Sequence, residues 1–142
     1  MSSDKDEEEL VLVPLSREPP ITVDRREWPE IATGTYRWQD GDQKKGILQE
    51  ISLVLKVRQH ADGRAVVYGR FFYCDILKPR DLFLVHHGRF VEPGMDLVAA
   101  IQAVGGNLRT AMTEIGGPSA EEARRVSGVV LETIQELPPT RL

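Results

Sequence analysis

The chain has little of what most small enzymes display. It holds 1 cysteine in 142 residues. Cys74 alone excludes an internal disulfide and a cysteine-rich structural zinc site. Aromatic residues make up 6%. No apolar run approaches the roughly 18 residues that a membrane-spanning helix needs. The acidic start lacks the basic flank and apolar core of a secretory signal, so a cytoplasmic location with no membrane association is the expectation. Internal repeats are absent. No glycine-rich phosphate loop occurs, because Gly105-Gly106 and Gly116-Gly117 lack the accompanying lysine and the strand-turn-helix setting.

Apolar content of 41% and charged content of 28% are ordinary for a soluble domain, and the length suits a single core. The charge is unevenly spread. Asp4, Asp6, Glu7, Glu8 and Glu9 stand against Lys5 alone, so residues 1–9 carry the whole net charge of −4 and the rest is neutral. From Lys56 to Arg89, 7 Lys/Arg face 3 Asp. The pattern reads as an acidic tail joined to a locally basic sheet: solvated charge on a disordered terminus and on sheet edges, with screening of the basic face by the tail as the alternative. Residues 1–20, punctuated by Pro14, Pro19 and Pro20, read as a disordered acidic tail and proline-rich lead, in which Leu10–Val13 is confined to an edge strand or a linker. Residues 21–142 read as one domain, with a sheet over about 21–92 and helices over about 96–115 and 119–137.

The strongest local signal is a hairpin, 47–60 joined to 64–74 through Ala61-Asp62-Gly63. A two-residue loop would put an arginine into the apolar row. A three-residue loop with Gly63 in a left-handed bulge pairs Val57 with Val67, Leu55 with Gly69, Leu53 with Phe71 and Ile51 with Tyr73. That register gives one unbroken apolar face, and burial selects it because a one-residue slip reverses every side chain. The opposite face then carries Lys56, Arg58, Val66, Tyr68, Arg70 and Phe72.

Before the hairpin, Asp24 is placed to cap one turn, and Ile31–Trp38 reads as a strand followed by a polar loop over 39–46. After it, Leu82–His87 reads as a strand ended by Gly88. Asp96 caps a helix whose apolar positions are Leu97, Ala100, Ile101, Val104, Leu108, Met112 and Ile115, with a kink or split expected at Gly105-Gly106. Ser119 with Glu122 reads as a capping box opening a second helix through Leu137. Strands first and helices last give an α+β class: an antiparallel sheet of about four to five strands with two C-terminal helices on one face.

Chemistry-bearing constellations are sparse. His86 and His87 are adjacent, so a strand sends them to opposite faces, and His60 lies at the hairpin tip. No metal site, catalytic set or cofactor is expected. Cys74 and a histidine would act as a nucleophile pair only as spatial neighbours, and free cysteine is commonly a buried apolar group. The basic and aromatic face is the best candidate surface, with Lys56, Arg58, Arg64, Tyr68, Arg70 and Phe72 as its binding residues. It suits an unknown protein partner or a second copy of the chain. Nucleic acid is the alternative, with arginines on phosphate and aromatics stacking bases.

Glu27-Trp28-Pro29, Ile31-Ala32-Thr33, the run Lys56–Arg64 with Val67-Tyr68-Gly69, Asp96–Ile101 and the closing Glu136-Leu137-Pro138 together carry a likeness. Over about residues 24–142 the chain resembles a group of small uncharacterised bacterial proteins encoded largely on plasmids, integrative elements and prophages. It departs from their pattern around Cys74–His87. The resemblance implies a bacterial, cytoplasmic, mobile-element setting and carries over no catalytic residue. The combined expectation is a small non-enzymatic interaction or accessory protein.

Overall fold

The computed structural model describes residues 9–42, 47–75 and 82–138; most of the acidic tail lies outside them. The expected turn at Gly63 is present, with φ at 99°. The β4 strand (Ile47–Gln59) and the β5 strand (Ala65–Asp75) pair in the three-residue-loop register: Val57 with Val67, Leu55 with Gly69, Leu53 with Phe71 and Ile51 with Tyr73. Around this hairpin, β3 (Glu30–Asp42) joins β4, and β6 (Leu82–Val91) joins β5, in a four-stranded antiparallel sheet of order β3-β4-β5-β6.

The apolar row of the sheet is covered by α1 (Leu97–Ile115), α2 (Gly117–Glu122), a 3-10 turn at Ala123–Arg125, and α3 (Val126–Glu136). Ile51, Leu53, Leu55, Val57, Val67 and Phe71 meet Ile101, Val104, Leu108 and Met112 in one core, and all of these are essentially unexposed. Each such large side chain contributes roughly 1.5–3 kcal/mol by leaving water. The architecture is therefore α+β, with the helical layer on one face of the sheet. Among the described residues no helix is long and apolar enough to cross a membrane.

Several local expectations are corrected. The second helical segment is not one helix from 119 to 137 but two, separated by the 3-10 turn. Ser119 does not cap it. Ser119 is fully buried inside α2, and its hydroxyl lies 3.0 Å from the Met112 carbonyl oxygen and 2.6 Å from that of Gly116. Its single O–H proton is thus shared between two carbonyls at the α1 C-terminus, and the Met112 oxygen also takes the Gly116 N–H. Glu122, the other half of the expected box, is buried against the sheet and accepts the Tyr36 hydroxyl. Burial and then Glu122 hold the Tyr36 phenol above its usual range, and the Arg125 guanidinium stands 5.8 Å from the ring centre. This trio fastens the helical corner to β3.

The lead also differs. Leu10–Val13 (β1) and Ile21–Asp24 (β2) form a separate antiparallel ribbon, and Val13 is fully buried. Order thus reaches well before residue 21, because this stretch has an apolar surface to cover. The turn after β2 matches expectation: Asp24 accepts the backbone N–H of Arg26 at 2.8 Å. Asp96 likewise accepts from the Ala99 N–H at the start of α1.

The helix α1 runs unbroken through Gly105-Gly106. A β-carbon at Gly105 would come 2.4 Å from Val130 Cγ2, whereas one at Gly106 meets nothing within 4 Å. Gly105 is the contact that lets α3 approach α1; Gly106 only weakens the helix. Gly105→Ala is expected to destabilise the protein by about 1–3 kcal/mol, as overpacking does. Gly106→Ala is expected to stabilise it by about 0.5–1 kcal/mol. Equilibrium urea unfolding of the two variants checks the opposite signs.

Candidate functional site

Side chains alternate across a strand, so the paired positions define rows on the face away from the helices. From the hairpin turn outward these rows are Glu30, Arg58, Val66, Phe90; then Thr33, Lys56, Tyr68, Gly88; then Thr35, Val54, Arg70, His86; then Arg37, Ser52, Phe72, Leu84. The expected basic and aromatic face therefore exists, but its upper part is covered. Val13 and Val23 of the ribbon pack with Trp28 on Val66, flanked by Tyr68 and Phe90.

The six expected binding residues fall into different environments. Arg58 is corrected from a surface group to a buried one, with 6% of its surface exposed. Its Nε donates to the Tyr68 hydroxyl at 3.0 Å and its Nη1 to the Trp28 carbonyl at 3.1 Å. Arg58 therefore holds the Trp28 turn onto the sheet. Tyr68 is half-buried, with its hydroxyl accepting that bond. Arg64 pairs with Asp62 at 2.6 Å and lies 5.1 Å from the Trp28 ring centre. The Arg64 backbone N–H, then its side chain, hold the Asp62 carboxyl below its usual range. Lys56 pairs with Glu30 at 3.3 Å, a surface pair worth about 0–1 kcal/mol. Phe72 is half-buried beside Leu84. Arg70 is exposed and has no ion-pair partner among the described residues.

The uncovered part of the face holds leucines that sequence reasoning did not single out, together with His86, which it weighed only as a metal ligand or a partner for Cys74. Leu82 and Leu84 of the outer strand are 58% and 54% exposed. His86 stands beside Arg70. The ribbon adds Leu12, 62% exposed. A cleft of about 270 Å³ runs between ribbon and sheet, lined in part by Leu12, Arg25, Val54, Arg58, Arg70 and His86. The histidines take separate surroundings: His60 packs on Trp28, with ring centres 5.2 Å apart, and the other two lie on β6. Among the described residues no group of three His, Cys, Asp or Glu side chains is placed to hold a metal.

One sequence signal did mark the covering ribbon. Gly88 does not end its strand; β6 continues to Val91. A β-carbon at Gly88 would lie 1.7 Å from the Pro14 carbonyl oxygen. The chain after β1 crosses here: Ser16 N–H donates to the Gly88 carbonyl at 3.0 Å, and Gly88 N–H donates to Ser16 Oγ at 3.1 Å. A glycine inside a strand signals such a close backbone approach.

Gly88→Ala is expected to expel the Pro14–Ser16 crossing and loosen the ribbon. In a Trp38→Phe background the emission of Trp28 should shift to the red while the strand signal in circular dichroism persists; unchanged emission contradicts the crossing. His87 gives a pH test. Burial, then the neighbouring His86, hold its imidazole below the usual histidine range, and Ser16 Oγ lies 3.1 Å from its Nδ1. The unfolded chain then binds the proton more readily than the folded one, so stability falls as pH drops below about 6.5 and levels off below the folded value. His87→Gln should flatten the fall in thermal midpoint between pH 7.5 and 5. Compared with protein-family models, curated proteins and solved structures, the chain matches none.

Proposed function

We propose that this protein is a non-enzymatic binding protein whose partner is an extended polypeptide segment carrying apolar and acidic side chains. The observation that carries the reading is the outer strand β6. It is the last strand of the sheet, and its Leu82–His86 stretch pairs with no further strand among the described residues. The side chains beside that edge are exposed Leu82 and Leu84 next to half-buried Phe72, with exposed Arg70 one row away. An added strand supplies main-chain hydrogen bonds to a free edge and sets alternate side chains against one face. Leucines and an arginine beside the edge favour an apolar and acidic sequence in that strand. A second copy of the chain, edge to edge, uses the same surface.

The nucleic-acid alternative draws less support. Binding to a phosphate backbone scales with free cations on an open surface; Lys56 and Arg64 are paired with Glu30 and Asp62, and Arg58 is enclosed beneath the ribbon. The cytoplasmic, mobile-element setting implied by the resemblance belongs to this same proposal.

Selection from a displayed random-peptide library on the immobilised protein tests the reading. Selected peptides should alternate apolar residues with Asp or Glu. Their synthetic forms should bind at least about tenfold more weakly to Leu84→Lys, which loses an apolar contact worth more than about 1.4 kcal/mol. The thermal midpoint should stay nearly constant, since Leu84 is exposed. Sedimentation velocity separates self-pairing, which the same substitution should abolish. Peptides that bind wild type and Leu84→Lys alike, or a monomer with no selectable peptide, would sink the proposal.

A further inference from the structure

The cleft between ribbon and sheet collects Arg25, Lys56, Arg58, Arg70 and His86. They come from four separate places in the chain: the turn after β2, and strands β4, β5 and β6. Against these basic groups the described residues provide one carboxylate partner, Glu30, which pairs with Lys56. Glu30 stands opposite Arg58 in the strand register, yet Arg58 forms no ion pair among the described residues. Its bonds go to two neutral oxygens, the Tyr68 hydroxyl and the Trp28 carbonyl.

That arrangement is costly for an empty site. A charged residue with only 6% of its surface exposed, as Arg58 has, ordinarily has a counter-charge close by. Here the two neutral bonds fix the plane of the Arg58 guanidinium and leave it without a direct carboxylate contact among the described residues. Arg70 and Arg25 are exposed at the rim and have no carboxylate within ion-pair distance among the described residues. The cleft offers Leu12 and Val54 as apolar surface beside the cations. Arginine forks match the paired oxygens of phosphoryl and carboxylate groups.

We infer that this cleft is a binding site for a small molecule bearing a multiply charged oxyanion, a phosphoryl group or a polycarboxylate. Arg58 is the fixed inner contact, and Arg25 and Arg70 close on the anion from opposite sides, one from the turn that follows the ribbon and one from the sheet. Because the ribbon carries one side of the site, bound anion ties ribbon to sheet. The site shares Arg70 and His86 with the β6 surface, but Arg58 and Arg25 belong to it alone, so the two proposals are tested by different substitutions.

Calorimetric titration of the full chain with pyrophosphate, and separately with citrate, tests the inference at an ionic strength held constant with sodium chloride. The expected result is saturable, one-to-one binding of at least one of them. Each of Arg25→Gln and Arg70→Gln should weaken it about tenfold, the loss of one charge-assisted hydrogen bond. Leu84→Ser, which removes the apolar contact at the peptide edge without adding a charge, should leave it unchanged. Binding of pyrophosphate alone identifies a phosphoryl ligand, binding of citrate alone a polycarboxylate, and binding of both the shared oxyanion chemistry. Both arginines are exposed, so neither substitution is expected to unfold the protein, and thermal midpoints check this. No saturable heat with either probe, or an affinity that neither arginine substitution changes, would overturn the inference.

Discussion

The register of the β4–β5 hairpin is the constraint on which the other features depend. Gly63 takes a positive φ that other residues adopt at a cost, and the three-residue turn it allows sets Leu53 opposite Phe71 and Val57 opposite Val67. The large apolar residues of α1 pack on that row. The same register places Arg58, Tyr68, Arg70 and Phe72 on the far side. A slip by one residue would exchange the two faces, burying several charges beneath α1 and exposing the aliphatic row.

The far side is not a bare solvent face, because the chain before the sheet folds back over it. A two-stranded ribbon is only marginally stable by itself. Here it is held at two points. Val13, Val23 and Trp28 form a small second core on Val66, and the Pro14–Ser16 crossing is admitted by the missing side chain of Gly88. Arg58 links the two layers through Trp28 and Tyr68. One arginine therefore serves both as a tether and as the inner wall of the basic cleft. The helical corner is fixed from the other side by Tyr36 and Glu122.

Much of this was legible residue by residue. Alternation along Ile51–Val57 and Val67–Tyr73 gave the buried row, and the spacing of Ile101, Val104, Leu108 and Met112 gave the face of α1. Both rest on local periodicity. Gly105-Gly106 misled for an understandable reason. Helix propensity disfavours the pair, but close packing against Val130 requires the first of them, and packing outweighs propensity. Ser119 misled similarly: the capping pattern is present, but its hydroxyl turns back to the end of the preceding helix, at the Met112 carbonyl. Among the candidate site residues, Arg70 and Phe72 remain accessible while Arg58 does not. A strand pattern assigns a side chain to a face, but it does not say whether a distant segment lies on that face.

The amino-acid order by itself determined the α+β class, the hairpin turn, the inward aliphatic row and the concentration of basic and aromatic groups opposite it. These follow from alternation, helical spacing and the backbone freedom of glycine, all of which act over a few residues. Only the tertiary structure decided that the lead becomes a ribbon, that Arg58 is enclosed while Arg70 is not, and that Arg25 joins residues from three distant strands around one cleft. Those outcomes depend on which surfaces, tens of residues apart, exclude water from one another, and short-range pattern carries no record of that.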